Sequence, residues 1–188
     1  MLREKRIHLY FSAMKKSIVQ LSSLFLLSFL FFSCGPDKTN SEYYGKDLQA
    51  IMKSDEGAFR GISPGMKKQE VKSIEKARLL EDDKDFLYYE YAIDSAKTFS
   101  ISYIFENDSL HEILVDIFPG SNKNAQQLFA EFKSLLDARY GSSLFHNYEY
   151  IWDIDKQDKS KGKFSLADES SDYGYGKLTL YIYVDPYL

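Results

Sequence analysis

From Phe86 to Phe118 apolar and polar residues alternate through three successive runs, and that period fixes most of what the chain can become. In "FLYYEYAI", Leu87, Tyr89, Tyr91 and Ile93 share one side. In "TFSISYIF", Phe99, Ile101, Tyr103 and Phe105 stand together, with Ser100 and Ser102 opposite. In "LHEILVDIF", Ile113, Val115 and Ile117 oppose Glu112 and Asp116. A side-chain period of two is the period of extended backbone. Strands with one apolar and one wetted side belong to an antiparallel sheet covered on one face only. "ENDS", Glu106 to Ser109, has the composition of the hairpin turn joining the last two runs.

Something must cover the apolar face, and the helical runs are the candidates. "NAQQLFAEFKSLLDARYG" carries Ala125, Leu128, Phe129, Phe132, Leu135 and Leu136 on one stripe, with Arg139 in its last turn and Gly141 as its stop. "GISPGMKKQEVKSIEKARLL" reads as a second helix, opened by Gly/Pro punctuation and continuing through Val71 and Ile74 to Ala77 or Arg78. The acidic "EDDKD" at 81–85 then reads as a solvated loop. "KDLQAIMK" offers a short third helix through Leu48, Ile51 and Met52. Three more strand candidates close the chain: "FHNYEYIWDI", "KFSLAD" and "KLTLYIYV". In the last, Leu178, Leu180, Ile182 and Val184 face one way, Tyr181 and Tyr183 the other. The fold class expected is α+β: an antiparallel sheet with helices packed on one face, in two tandem α-β-β-β units that share the sheet. Fifteen tyrosines and 14 phenylalanines suit such strands and a core with aromatic walls.

The first 33 residues are of another kind. Lys15 and Lys16 precede a fifteen-residue, mostly apolar run, Ile18–Phe32, which ends at Ser33 and the single cysteine, Cys34. A basic start and a short apolar stretch are the layout of a secretory signal. The run is short of the roughly 20 residues of a spanning helix, although a tilted anchor remains a second reading. Met14 is the expected true start. "Leu30-Phe31-Phe32-Ser33-Cys34" resembles the bacterial lipobox, with Phe31 and Phe32 in place of the usual Leu and Ala/Ser. The resemblance implies cleavage before Cys34 and a lipid on its sulfur. Acyl chains contribute about 0.8 kcal/mol per buried CH₂, so two or three hold a protein stably. A plain membrane anchor, or release of an unmodified chain, would be the alternatives. The expected organisation is a signal peptide over 1–33, a lipidated cysteine and polar tether over 34–57, and a globular domain over 58–188. Within the tether, "GPDKTNSEYYG" would span on the order of 20 Å as a flexible coil.

"GISPGMKKQEV", Gly61 to Val71, resembles the opening helix of the small bacterial domains grouped with the SmpA/OmlA lipoproteins and the β-lactamase inhibitor protein. Gly65, Met66, Lys68, Glu70 and Val71 match it, and "Phe105-Glu106-Asn107-Asp108-Ser109-Leu110" matches its hairpin loosely. Lys67 departs from the pattern, standing where a capping hydroxyl should accept the N3 amide, so this helix start should be less well fixed. The resemblance covers about 60 residues and implies domains that bind other proteins.

Charge and chemistry narrow the function. The chain holds 24 basic and 28 acidic residues; without residues 1–33, which carry five and one, 19 and 27 remain, a net charge of −8. That balance argues against a nucleic-acid partner. His8 lies in or before the signal, leaving His111 and His146, each in a strand candidate where a surface imidazole is the ordinary reading. No serine sits in a nucleophile elbow. "Asp153-Ile154-Asp155-Lys156-Gln157-Asp158" fails as a calcium loop, since Asp158 and Phe164 stand where Gly and Glu are needed. No catalytic residue, cofactor or metal is expected. The expectation is a lipid-anchored binding or scaffold module outside the cytoplasm, held at the membrane and contacting another envelope protein. The alternative is a carbohydrate- or peptide-binding lipoprotein using exposed tyrosines among Tyr88, Tyr148, Tyr150, Tyr175, Tyr181 and Tyr183.

Overall fold

A computed structural model describes residues 38–154 and 162–184. The candidate signal, Cys34 and the Asp155–Asp158 part of the calcium-like stretch lie outside the described residues. Among those described, no helix is long and apolar enough to cross a membrane.

Eight strands form one antiparallel sheet: β1 (Arg78–Asp83), β2 (Phe86–Ala92), β3 (Thr98–Glu106), β4 (Ser109–Phe118), β5 (Leu144–His146), β6 (Glu149–Asp153), β7 (Gly162–Asp168) and β8 (Leu178–Val184). Their spatial order is β1-β2-β3-β4-β8-β7-β6-β5. Each half is a meander in chain order, and the halves join antiparallel where β4 meets β8, with Ile113 opposite Ile182, Val115 opposite Leu180 and Ile117 opposite Leu178. Among the described residues four α-helices accompany the sheet: α1 (Lys46–Met52), α2 (Lys68–Ile74), α3 (Asn122–Tyr140) and the single turn α4 (Ser170–Tyr173). The class is α+β.

Each half carries four strands rather than three. Asn147 and Tyr148 both adopt positive φ, 49° and 68°, so "FHNYEYIWDI" folds back on itself as the β5–β6 hairpin. The other addition is β1, expected as a helix tail and an acidic loop. The helix stops at Ile74 because Glu75 turns extended, φ −76° and ψ 128°, carrying its carboxylate into the core. Arg78–Asp83 then pairs along β2 with every side chain exposed. An edge strand held by backbone bonds and by the Asp82 ion pairs to Lys68 and Lys72 has no burial period to betray it.

The inner face follows the alternation. Leu87, Tyr89, Phe99, Ile101, Tyr103, Ile113, Val115 and Ile117 are buried in the first half, and Trp152, Phe164, Leu166, Leu178, Leu180 and Ile182 in the second. On α3, Ala125, Leu128, Phe132, Leu135 and Leu136 are buried with them, Phe129 partly so. The packed body begins at Lys38 rather than Ala58. Leu48, Ile51 and Met52 of α1 belong to the same core, and Ser41 is buried. Most of the expected tether is therefore part of the domain, because α1 supplies apolar cover that α2 and α3 leave open.

Lys67 offers α2 no acceptor, yet the start of that helix is held in two other ways. Glu70 accepts the Lys67 amide at 2.7 Å, which is half of a capping box. The preceding chain also pairs with the first residues of β4: the Gly65 amide donates to Leu110 O and the Leu110 amide to Met66 O, each at 2.8 Å.

Candidate functional site: the helix-free face of the sheet

Because side chains alternate, the face away from the helices has its own register. One row runs Tyr88, Ser102, Leu114, Tyr181, Ser165, Ile151 and Leu144 across all strands but the β1 edge. A second runs Phe86, Ile104, Glu112, Tyr183, Lys163 and Asp153. A third runs Glu90, Ser100, Asp116, Thr179, Ala167, Glu149 and His146. Large rings stand beside short hydroxyls here, so Ser165 is only 4% exposed although no helix covers it.

Several of the rings are ordered against one another. Tyr181 and Tyr183 stack at 4.8 Å between centroids, and Phe86 and Tyr88 at 6.4 Å. Burial pushes the Tyr181 phenol well above its ordinary range, and the neighbouring Glu112 carboxylate pushes it further. Tyr181 is thus a neutral donor at any physiological pH.

One end of the face is locked by a charge cluster. The Lys177 ammonium lies 2.8 Å from Glu169, 3.2 Å from Asp116 and 4.2 Å from the centre of the Tyr173 ring. Its burial opposes the charge, but the two carboxylates outweigh that and hold its pKa above the ordinary lysine value. Phe118, Tyr175 and Tyr173 form a lip beside this cluster, with centroids 6.2 Å and 5.8 Å apart in sequence. Tyr173 and Tyr175 are half exposed, 49% and 50%. Gly176 lets the connection lie close: a Cβ there would collide with the Ser121 carbonyl at the start of α3.

The six tyrosines singled out from sequence divide three ways. Tyr88, Tyr181 and Tyr183 lie on the helix-free face, half-buried. Tyr150 points the other way, packed against Phe129, Phe145 and Trp152. Tyr148 and Tyr175 stand on turns, and Tyr148 is 89% exposed. The two histidines are not brought together. His111 is the extra residue of the β3–β4 register shift, with Nδ1 3.5 Å from the Glu112 carboxylate. His146 is exposed on β5, four strands away, or about 19 Å at ~4.8 Å per strand. Neither lines the polar cavity of about 210 Å³ between α1 and α3 or the open one beside the Glu106–Asp108 turn.

Sequence reasoning missed the buried network beneath the helices. Glu75 accepts from Arg60 Nε at 3.1 Å, from its terminal nitrogen at 3.2 Å and from the Tyr103 hydroxyl at 2.8 Å. Arg60 also donates to the Ala50 and Ile51 carbonyls at 3.0 and 2.8 Å, closing the end of α1, and its guanidinium lies 4.4 Å from the Tyr91 ring centre. Burial alone would raise the Glu75 pKa, but the Arg60 hydrogen bonds and charge hold it below the ordinary value. This network fixes α1, α2 and β3 to one another; it does not open to solvent.

Fold and face together define an α+β domain on an eight-stranded sheet with one tyrosine-bearing side that no helix of the described residues covers. No family model, curated protein or solved structure matches the chain.

Proposed function

We propose that this chain is a lipid-anchored binding module of the bacterial cell envelope whose helix-free sheet face contacts another protein. The observation that carries the reading is the composition of that face: ordered phenols, small hydroxyls and half-buried aliphatics in continuous rows. Tyrosines that offer an apolar body and a polar tip are enriched where proteins meet. The face also has a sign. Glu90, Glu112, Asp116, Glu149 and Asp153 lie on it against Lys163 and the already neutralised Lys177, so the partner it suits presents basic residues around an apolar centre. The lipobox resemblance at Cys34 supports the anchor, and the likeness of Gly61–Val71 to the SmpA/OmlA group supports protein binding.

Mild crosslinking of membranes followed by capture of the tagged protein tests the contact. A partner should be recovered with the native chain and lost with Tyr181→Ala/Tyr183→Ala at equal abundance. Recovery equal to that of a soluble-domain control would refute it. Intact-mass measurement of the membrane-extracted protein tests the anchor: a chain beginning at Cys34 and bearing acyl groups is expected. A second reading, saccharide binding, is favoured by the Phe118–Tyr175–Tyr173 lip, where exposed rings sit beside carboxylates. It predicts calorimetric binding of envelope oligosaccharides that Tyr175→Ala abolishes.

A further inference from the structure

We infer that two copies of this chain pair through the outer edge of β5, strand against strand and antiparallel, so that their sheets run on into one another. The two edges of the eight-stranded sheet meet solvent differently. β1 carries Arg78, Glu81, Asp82 and Asp83, and its register slips between Leu79 and Glu81. Charges and a bulge of that kind keep a second strand from adding to an edge. β5 has neither. Gly141 to Tyr148, "GSSLFHNY", holds no Asp, Glu, Lys or Arg, yet Leu144 is 67% exposed, Phe145 58% and Tyr148 89%. Among the described residues no strand pairs with its outer side.

The hairpin geometry decides which backbone groups are on offer. The two-residue turn at Asn147–Tyr148 closes on His146 and Glu149, which makes that pair and the Leu144–Ile151 pair the hydrogen-bonded ones. Phe145 lies between them, opposite Tyr150, so its N–H and C=O point away from β6. Two such strands related by a two-fold axis exchange both bonds at Phe145. Phe145 then stands opposite Phe145, and Leu144 opposite His146 of the other copy. Tyr148 comes beside Ser142 and Gly141 of the other copy. There is room for the ring, since a Cβ on that glycine would meet nothing within 4 Å.

A second copy suits this edge because the chain is net negative, with 28 acidic against 24 basic residues, and repels itself wherever acids meet. Two β5 strands meet with no carboxylate on either, and a two-fold contact needs a surface that complements itself. The exposed parts of the three large side chains amount to roughly 400 Å² per copy, about half of the ~800 Å² a standard interface takes from each partner, so the dimer is a weak, reversible one. The two-fold axis of an antiparallel strand pair stands perpendicular to the sheet and keeps like faces together. Both helix-free faces then lie on one side, although the pairing itself does not depend on the contact proposed for them.

The test co-expresses two differently tagged copies of the full chain with benzoylphenylalanine at Phe145, or at Leu80 on the β1 edge as control. Irradiation should give an adduct of twice the chain mass carrying both tags from Phe145, and none from Leu80. No adduct, equal adducts from both positions, or a Phe145 adduct to a different protein overturns the inference. Sedimentation of the detergent-extracted full chain gives a second reading. Leu144→Lys should weaken the dimer at least about tenfold, by setting an ammonium in the paired edge. Its thermal midpoint should stay near that of the native chain, because Leu144 is mostly exposed. A native chain that is monomeric at every concentration, or a dimer that Leu144→Lys leaves unchanged, overturns it as well. Should that variant lose its fold, the crosslink decides alone.

Discussion

Glu75→Gln isolates the energetics of the buried network, because it removes a charge while keeping the shape. Glu75 and Arg60 are 4% and 3% exposed, and the guanidinium is held by two parallel bonds to the carboxylate. Lys53, 3.7 Å from the same carboxylate, is 41% exposed and remains hydrated without it. Arg60 has no such escape, so the variant leaves a buried cation with neutral partners. Breaking a buried pair from one side costs about 3–5 kcal/mol. That is a large share of the ~5–15 kcal/mol that holds a domain together. At ~2–4 °C per kcal/mol for a chain of this size, the midpoint should fall by about 6–20 °C. Thermal unfolding followed by Trp152 fluorescence measures that midpoint and urea unfolding the free energy, with Arg60→Met and the double variant Arg60→Met/Glu75→Leu alongside. The double variant should be far less destabilised than the two single losses combined, because no charge is left stranded. Its residual loss reflects the Ala50 and Ile51 carbonyls, which lose their donor. A loss under about 1 kcal/mol for Glu75→Gln, against the expected 3–5, would refute the reasoning. So would a strictly additive double variant.

The remaining expectations concern pH, strain and the charge clamp. Because folding lowers the Glu75 pKa from about 4.5, its contribution is full above that pH and is lost as pH falls through the lower folded value; acid unfolding of Glu75→Gln should lack that step. Tyr148 sits at φ 68° with almost its whole ring in water, so Tyr148→Gly should stabilise the domain by about 1 kcal/mol in thermal unfolding. Lys177→Met should loosen the connection from Glu169 to Lys177, read as faster amide exchange at Gly174, and cost about 1–3 kcal/mol.

The strands with one wet and one dry side were legible because burial imposes a period, and Tyr181 and Tyr183 could be placed opposite Leu180 and Ile182 on that ground alone. The stripe of α3 was legible for the same reason. What escaped had no period to read. β1 buries nothing, and the turn at Asn147–Tyr148 lacks the glycine that usually marks its left-handed second position. The tether shrank because Tyr44 and Ser41 are polar by composition yet gain their partners from Ser134, Asp55 and Arg139, far along the chain. The Arg60–Glu75 pair joins two unremarkable charges 15 positions apart, and only the fold reveals that both are buried. The uncovered face itself was implied by the polar sides of β3 and β4. Its lip at Tyr173 and Tyr175 depends on the Lys177 clamp, a tertiary contact.

The most direct measurement is photocrosslinking in intact cells, with a benzophenone amino acid placed at Tyr183 on the helix-free face or at Gln126 on the outer side of α3. The account predicts a discrete, higher-mass protein adduct from Tyr183 and none from Gln126. The same adduct from both positions, or an adduct from Gln126 alone, would contradict it.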